Sequence, residues 1–213
     1  MNLQSISRIF ADEMAHLRTD WNEPGAKYYH GQRVAKLAVR LRELLFPQLL
    51  DKDDILTVAA WFHDVYNGHE LYHETHGVSG AERTRELISA YCAPDELDDI
   101  CGIIAIHDDR TAPNCSELAK LHQDADLLDH FGTHTMWRLA IYSPPHERTI
   151  LDAAEFLRHD LDLNGERWRG RLNFELSRKI FDEKADFVRH YSERFDAELD
   201  GRIWDEERLI GEL

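Results

Sequence analysis

Cysteine is scarce in this chain, and the little there is builds no framework. Cys92, Cys101 and Cys115 fall in no C-x-x-C spacing, and three is an odd number. A disulfide scaffold and a thiolate zinc knuckle are set aside, and a reducing cytoplasm is the expected setting. Positive charge is short as well: 41 Asp and Glu stand against 25 Lys and Arg, a formal net charge of −16. No basic stripe offsets this excess, which argues against duplex nucleic acid as a partner. A small phosphorylated partner stays compatible, because a bound divalent cation inverts the local field of an acidic protein. Long apolar runs are missing too. Charges interrupt the N-terminal MNLQSISRIFADEMAHLRTDW, so it lacks the apolar core of a secretion signal. No stretch approaches the length of a membrane span, and no membrane partner is expected. Alternating strand patterns, repeats and low-complexity linkers are absent. The 213 residues, 43% hydrophobic and 31% charged, suit one globular domain.

What is present is helical periodicity almost throughout. Leu3, Ile6, Ile9, Phe10, Met14 and Leu17 recur at three- and four-residue intervals, predicting a helix over 2–18 that NEPGA (22–26) breaks. A second helix over 27–46 places Val34, Leu37, Leu41 and Leu44 on one face, with His30 one turn before Val34, and Pro47 ends it. Asp51-Lys52-Asp53-Asp54 opens a third, as the helix dipole favours, with Ile55, Val58, Ala59, Phe62 and His63 inward. Further helices are predicted over 78–91 (Ala81, Leu87, Ile88, Tyr91), from Pro94 onward, and over 116–129; His107 follows Ile104 at helical spacing. The C-terminal third reads as helix over 148–162 and 172–199, with breaks at Asn164-Gly165 and Asp200-Gly201. The expected fold is all-α, one domain spanning 1–213, with the C-terminal helices packed against the rest.

Residues 61–76, WFHDVYNGHELYHETH, carry two overlapping metal signals. His69-Glu70-Leu71-Tyr72-His73 fits H-E-x-x-H, in which two histidines share a helix face and the Glu activates water. Its context is poor. Asn67-Gly68 lies just upstream, and Leu71 and Tyr72 are the only apolar anchors in 69–76. His76 does not continue the pattern as a metzincin would. His63-Asp64 instead ends the apolar LTVAAWF, so the pair points inward, where an ionised Asp needs a partner or a metal. The dipeptide alone is uninformative, since His107-Asp108 and His159-Asp160 repeat it. Its company raises it: His30 on the preceding helix, and KLHQDADLLDHFG (120–132) further on. Imidazole and carboxylate donors suit Mn, Fe, Zn or Co.

YHGQRVAKLA, AAWFHDV, HGVSGAERTRELI, IIAIHDD and KLHQDADLLDHFGTHTMWRL, in this order over about residues 25–142, resemble the successive motifs of the HD-domain metal-dependent phosphohydrolase superfamily, in particular its small single-domain bacterial members. FELSRKIFDEKADFVRHYSERFDAELDG is similar, more loosely, to the tail of that group. The resemblance implies an HD-domain helical bundle with a C-terminal extension, and a metal held by His30, His63, Asp64 and Asp126. Asp126 is taken rather than Asp124 because the family motif is the Asp after Ala. His76 and His107 fall where some members place ligands of a second metal. The cofactor implied is one divalent ion or two, with Mg added to Mn, Fe, Zn and Co. One departure stands out: Val65-Tyr66-Asn67 follows His-Asp where many relatives have a small residue, Gly and Lys, so that Lys is missing. The segment His69–Thr75 is expected to form a lid or rim.

The function implied is hydrolysis of a phosphate ester or anhydride, with a nucleotide as substrate class. Asp64 would bind metal and orient water, and His76 or His107 would serve as general acid or base. Arg33, Lys36, Arg83, Arg85 and Lys120 are candidates for phosphate contact; singly, each reads better as a solvated charge. A di-iron oxygenase on the same fold and a non-catalytic metal- or nucleotide-binding module are the competing readings, and a metalloprotease ranks last. The oligomeric state, monomer or homodimer, stays open.

Overall fold

The computed structural model of the protein describes residues 1–16, 23–66, 76–113 and 115–212, and the side chains of 160–164 are left aside. The described residues form helices and turns, with no strand among them. HELYH and the rest of the His69–Thr75 segment lie outside them, as does the end of the first predicted helix.

The helices follow the apolar periodicity closely. α1 (Leu3–Met14) buries Ile6, Phe10 and Met14 on one face. Gly25, with φ +74°, turns the chain into α2 (Ala26–Leu45), which buries His30, Val34, Ala38 and Leu41. Leu44 departs from expectation: it is half-exposed and forms no part of that face. Pro47 stops α2 as predicted, but a short 3-10 turn, Pro47–Lys52, takes up Asp51 and Lys52, and α3 (Asp53–Phe62) starts later. The buried Arg42 pairs with Asp53 at 2.7 Å, tying the last turn of α2 to the first of α3. α4 (His76–Ile88) and α5 (Pro94–Ala105) pack on each other, and Tyr91 lies exposed in the turn between them rather than on a helix face. α6 (Glu117–Asp129) is the most enclosed helix. It buries Leu121, Leu128, His122, Asp124 and Asp129.

The sequence reading placed no helix over α7 (Thr133–Tyr142), and it broke the chain at Asn164-Gly165. The structure runs α8 unbroken from Ile150 to Gly170. Arg158–Asp196 and Arg169–Asp182 pairs lace α8 antiparallel to α9 (Glu175–Leu199). The buried Ala154 and Leu157 lie before the dipeptide and the partly buried Trp168 after it, so packing outweighs the roughly 1 kcal/mol an interior glycine costs a helix. Asp200-Gly201 does end α9, with Gly201 at φ +70°, and the exposed α10 (Glu206–Gly211) follows.

Two apolar cores flank one seam. The first gathers α1, α3, α4 and α5 around Phe10, Phe62, Ile88, Ile100 and Ile104. The second gathers α2, α3 and α6 around Val34, Leu41, Leu56, Leu121 and Leu128, and extends to Leu172 and Phe181 of the C-terminal part. The polar groups of α2, α3, α5 and α6 meet between them.

Candidate metal centre

Three helices bring the four predicted ligands together. His30 comes from α2, His63 and Asp64 from the turn that ends α3, and Asp126 from α6. His30 Nε2 lies 3.2 Å from His63 Nε2 and 3.1 Å from Asp126 Oδ1. His63 Nε2 lies 3.5 Å from Asp126 Oδ1 and 3.7 Å from Asp64 Oδ1. Beside this group, His76 at the start of α4 meets His107 just past α5, Nε2 to Nε2, at 3.2 Å. Asp64 belongs to both sets: His30–His63–Asp64 and Asp64–His76–His107 each converge closely enough to hold one ion.

Small residues make this convergence possible. A Cβ on Gly31 would stand 3.0 Å from the Ala60 carbonyl oxygen and 3.1 Å from that of Trp61. One on Gly77 would stand 2.8 Å from the Ala105 carbonyl oxygen. The residue after His30 and the residue after His76 therefore have to be glycine for each helix to approach its neighbour so closely.

The ring orientations fit a metal. His30 donates its Nδ1–H to Asp129 Oδ2 at 2.8 Å, and Asp129 is itself gripped by Arg33 through Nε and Nη2, each at 2.9 Å. His63 donates Nδ1–H to the Ala60 carbonyl at 2.9 Å, and His107 donates to the Ile104 carbonyl at 2.7 Å. In each neutral ring the Nε2 lone pair then points at the cluster, which is how outer partners fix metal-binding histidines. Facing lone pairs at 3.2 Å repel unless a proton or a cation lies between them. This donor set of imidazoles and carboxylates suits a first-row divalent ion.

Electrostatics point the same way. Burial works against charge on His30, but Asp126, Asp129 and Asp64 outweigh it and raise its pKa to about 10. Burial likewise opposes charge on His63, and Asp64 and Asp126 overcome it, raising its pKa. Asp64 is buried, yet His63, Lys27 and His30 hold its carboxyl well below the usual range, and Asp126 is depressed similarly by hydrogen bonds from His130, His30 and His63. Without a cation, protons on the imidazoles balance the buried carboxylates; a divalent ion can take their place. His107 behaves oppositely: burial and the nearby His63 lower its pKa.

Asp124 proves structural. Fully buried, it accepts from the backbone N–H groups of Asn173 and Phe174 at 2.8 and 3.0 Å and from the Asn173 amide at 2.9 Å. Among the phosphate-contact candidates, Arg33 is committed to Asp129, Arg83 to Glu13 at 2.6 Å and Arg85 to Asp98 at 2.7 Å. Three residues without a predicted role stand at the cluster. They are Asp129, which orients His30; His130, whose Nε2 lies 3.6 Å from Asp126 Oδ1; and His122, wholly buried with its ring 5.0 Å from that of His63. Positions 122, 126, 129 and 130 share one face of α6, so helical spacing from Asp126 was the signal that could have found them.

The fold and the cluster define an all-α protein with a buried histidine–aspartate centre at the meeting of its helices. Residues 28–131 match the family model of the HD domain, so this stretch of the chain is an HD domain. Solved structures of similar fold include an HD-superfamily hydrolase from Bacillus thuringiensis, at 21% identity with 95% of this chain and 100% of that chain covered and a TM-score of 0.66. Another is Bacillus subtilis YpgQ in complex with ADP, at 20% identity with 92% and 98% covered and a TM-score of 0.62. At these identities the likeness establishes the fold. No curated protein matches the sequence.

Proposed function

We propose that this protein is a metal-dependent hydrolase of phosphate esters or anhydrides, with a nucleotide as its substrate. The observation that carries the reading is the meeting of the His30 and His63 Nε2 atoms at 3.2 Å beside the Asp126 and Asp64 carboxylates. His30, His63, Asp64 and Asp126 would hold the ion. A divalent ion so held supplies water activation near neutral pH and polarises a phosphoryl oxygen. Asp129 keeps His30 in the required tautomer, and Ala60 does the same for His63. Asp64 lies between the two groups and is placed to orient a water. His76 and His107, with Nε2 atoms 3.2 Å apart, are placed to serve as an acid–base pair. The ADP complex of YpgQ, a protein of the same fold, supports the nucleotide part of the reading.

The grouping of Asp64 with His76 and His107 favours a second reading in which that trio holds a second ion. In that case the six residues would also suit a di-iron oxygenase, recognised by two irons per chain and colour in the oxidised protein. Elemental analysis of wild type, Asp64→Ala and Asp126→Ala, with circular dichroism, tests the assignment. Both variants are expected to stay helical, lose metal and release no phosphate from a nucleotide panel. His69→Ala and His73→Ala are expected to keep metal. Metal retained in a folded Asp64→Ala protein would overturn the assignment.

A further inference from the structure

A cavity of about 680 Å³ opens beside the cluster, lined by His130, Arg138, Tyr142, Arg148, Phe156 and Trp168 from α6, α7, α8 and the turn before α8. Its volume lies in the roughly 300–1,000 Å³ range of small-molecule sites. The wall is aromatic, yet two cations stand on it. Most described arginines of this acidic chain lie against a carboxylate. Arg138 and Arg148 have no carboxylate within ion-pair distance among the described residues. Arg138 Nη1 donates to His130 Nδ1 at 3.2 Å, and the Arg148 guanidinium lies 5.3 Å over the Tyr142 ring.

His130 is the link between cavity and cluster. A guanidinium has no acceptor, so His130 Nδ1 must accept, and the neutral ring carries its hydrogen on Nε2. That N–H faces Asp126 Oδ1 at 3.6 Å, the oxygen nearest His30 Nε2. One edge of the imidazole thus belongs to the cluster, and the other is held by a cavity arginine. A ligand matching these surfaces needs a flat, largely apolar body for Tyr142, Phe156 and Trp168. It also needs an anionic end for Arg138 and Arg148.

We propose that this cavity seats the ring-bearing part of an aromatic phosphate such as a nucleoside phosphate, with Arg138 and Arg148 holding its charged end beside His130. The proposal rests on the reading that the cluster acts on phosphate. It assigns specificity to residues of α6, α7 and the α7–α8 connection that lie outside the metal set.

Calorimetric titration of metal-depleted protein with ADP, adenosine and inorganic phosphate tests it, because the cavity contacts need no ion. Wild type is expected to bind ADP at least about ten-fold more tightly than either fragment. Arg138→Gln and Arg148→Gln should each weaken ADP binding by about ten-fold or more, the scale of one charge-assisted hydrogen bond, and leave adenosine binding unchanged. Their metal content should equal that of wild type. Phosphate alone binding as tightly as ADP, equal ADP affinity in both arginine variants, or no ADP binding by either metal-free or metal-loaded protein would each overturn the proposal. The hydrolase reading is judged separately, by metal content and phosphate release in Asp64→Ala. A loaded enzyme that releases phosphate with an unchanged KM in Arg138→Gln and Arg148→Gln would sink the cavity and leave the hydrolase standing.

Discussion

His122 is wholly buried, and neither of its ring nitrogens has a hydrogen-bond partner among the described residues. Burial and the positive neighbour His63 push its pKa well down, so the ring is neutral. It packs edge-on against His63 and His107, filling space beside the cluster without joining it. Leaving a buried polar group unsatisfied costs about 1–3 kcal/mol. His122→Leu keeps the volume and removes those atoms. Its Tm is therefore expected to rise, by roughly 2–12 °C for a chain of this size, with metal content unchanged. A lower Tm by calorimetry would show that the imidazole has a partner or a role beyond packing. At this scale the site was partly legible. His30, His63, Asp64, His76, His107 and Asp126 could be picked out because their motifs arrive in a recognisable order, and the structure brings all six together. His122, Asp129 and His130 escaped notice because each sits in a stretch whose motif already had an assigned member. Orientation by an outer carboxylate is a matter of packing that spacing does not announce.

The element that organises the site is α6, whose two faces do different work. Asp126, Asp129 and His130 turn toward α2 and the cavity. Asp124 turns the other way and accepts from the N–H groups at the start of α9, whose N-cap residue Phe174 offers no side-chain cap. It thereby caps α9 from a neighbouring helix, and the bonds are charge-assisted. Asp124→Ala is expected to cost about 3 kcal/mol or more in urea unfolding, since hydrogen bonds to charged groups contribute about 1.5–3 kcal/mol each. Asp126→Ala, two residues on, should lose metal and keep the fold. Equal loss of stability in the two variants would contradict this division. Legibility differed among the helices for a related reason. α1 to α6 carry apolar stripes, and the three- and four-residue spacing disclosed them. α7 buries none of its residues, so it has no stripe to read. α8 continues through Asn164-Gly165 because α9 packs along it, a tertiary contact that outweighs the local break signal.

Across the whole molecule, the charge of −16 and the buried carboxylates of the seam pose the same problem at two depths. Self-repulsion of surface acids is screened by salt, whereas Asp64 and Asp126 are enclosed and need a cation or protons close by. In metal-free protein those protons sit on His30 and His63. The His30 pKa lies near 10 in the folded chain against an ordinary 6.5. A raised histidine pKa gives stability that is complete below the unfolded value and is lost as pH climbs through the folded one. The chelated protein should therefore weaken steadily above neutrality, while the metal-loaded protein, whose imidazoles bind through unprotonated Nε2, should not. An ion that binds the folded chain alone adds about 2.7 kcal/mol at a hundred times its Kd, equivalent to roughly 5–11 °C in Tm here. Thermal melts with and without EDTA, from pH 6 to pH 9, are expected to show a gap of that order that widens as pH rises. Asp126→Ala, deprived of the ligand shared by both imidazoles, should show no gap at any pH. A gap that is constant with pH, or one that survives in Asp126→Ala, would mean that the stabilising cation sits elsewhere than between His30 and His63.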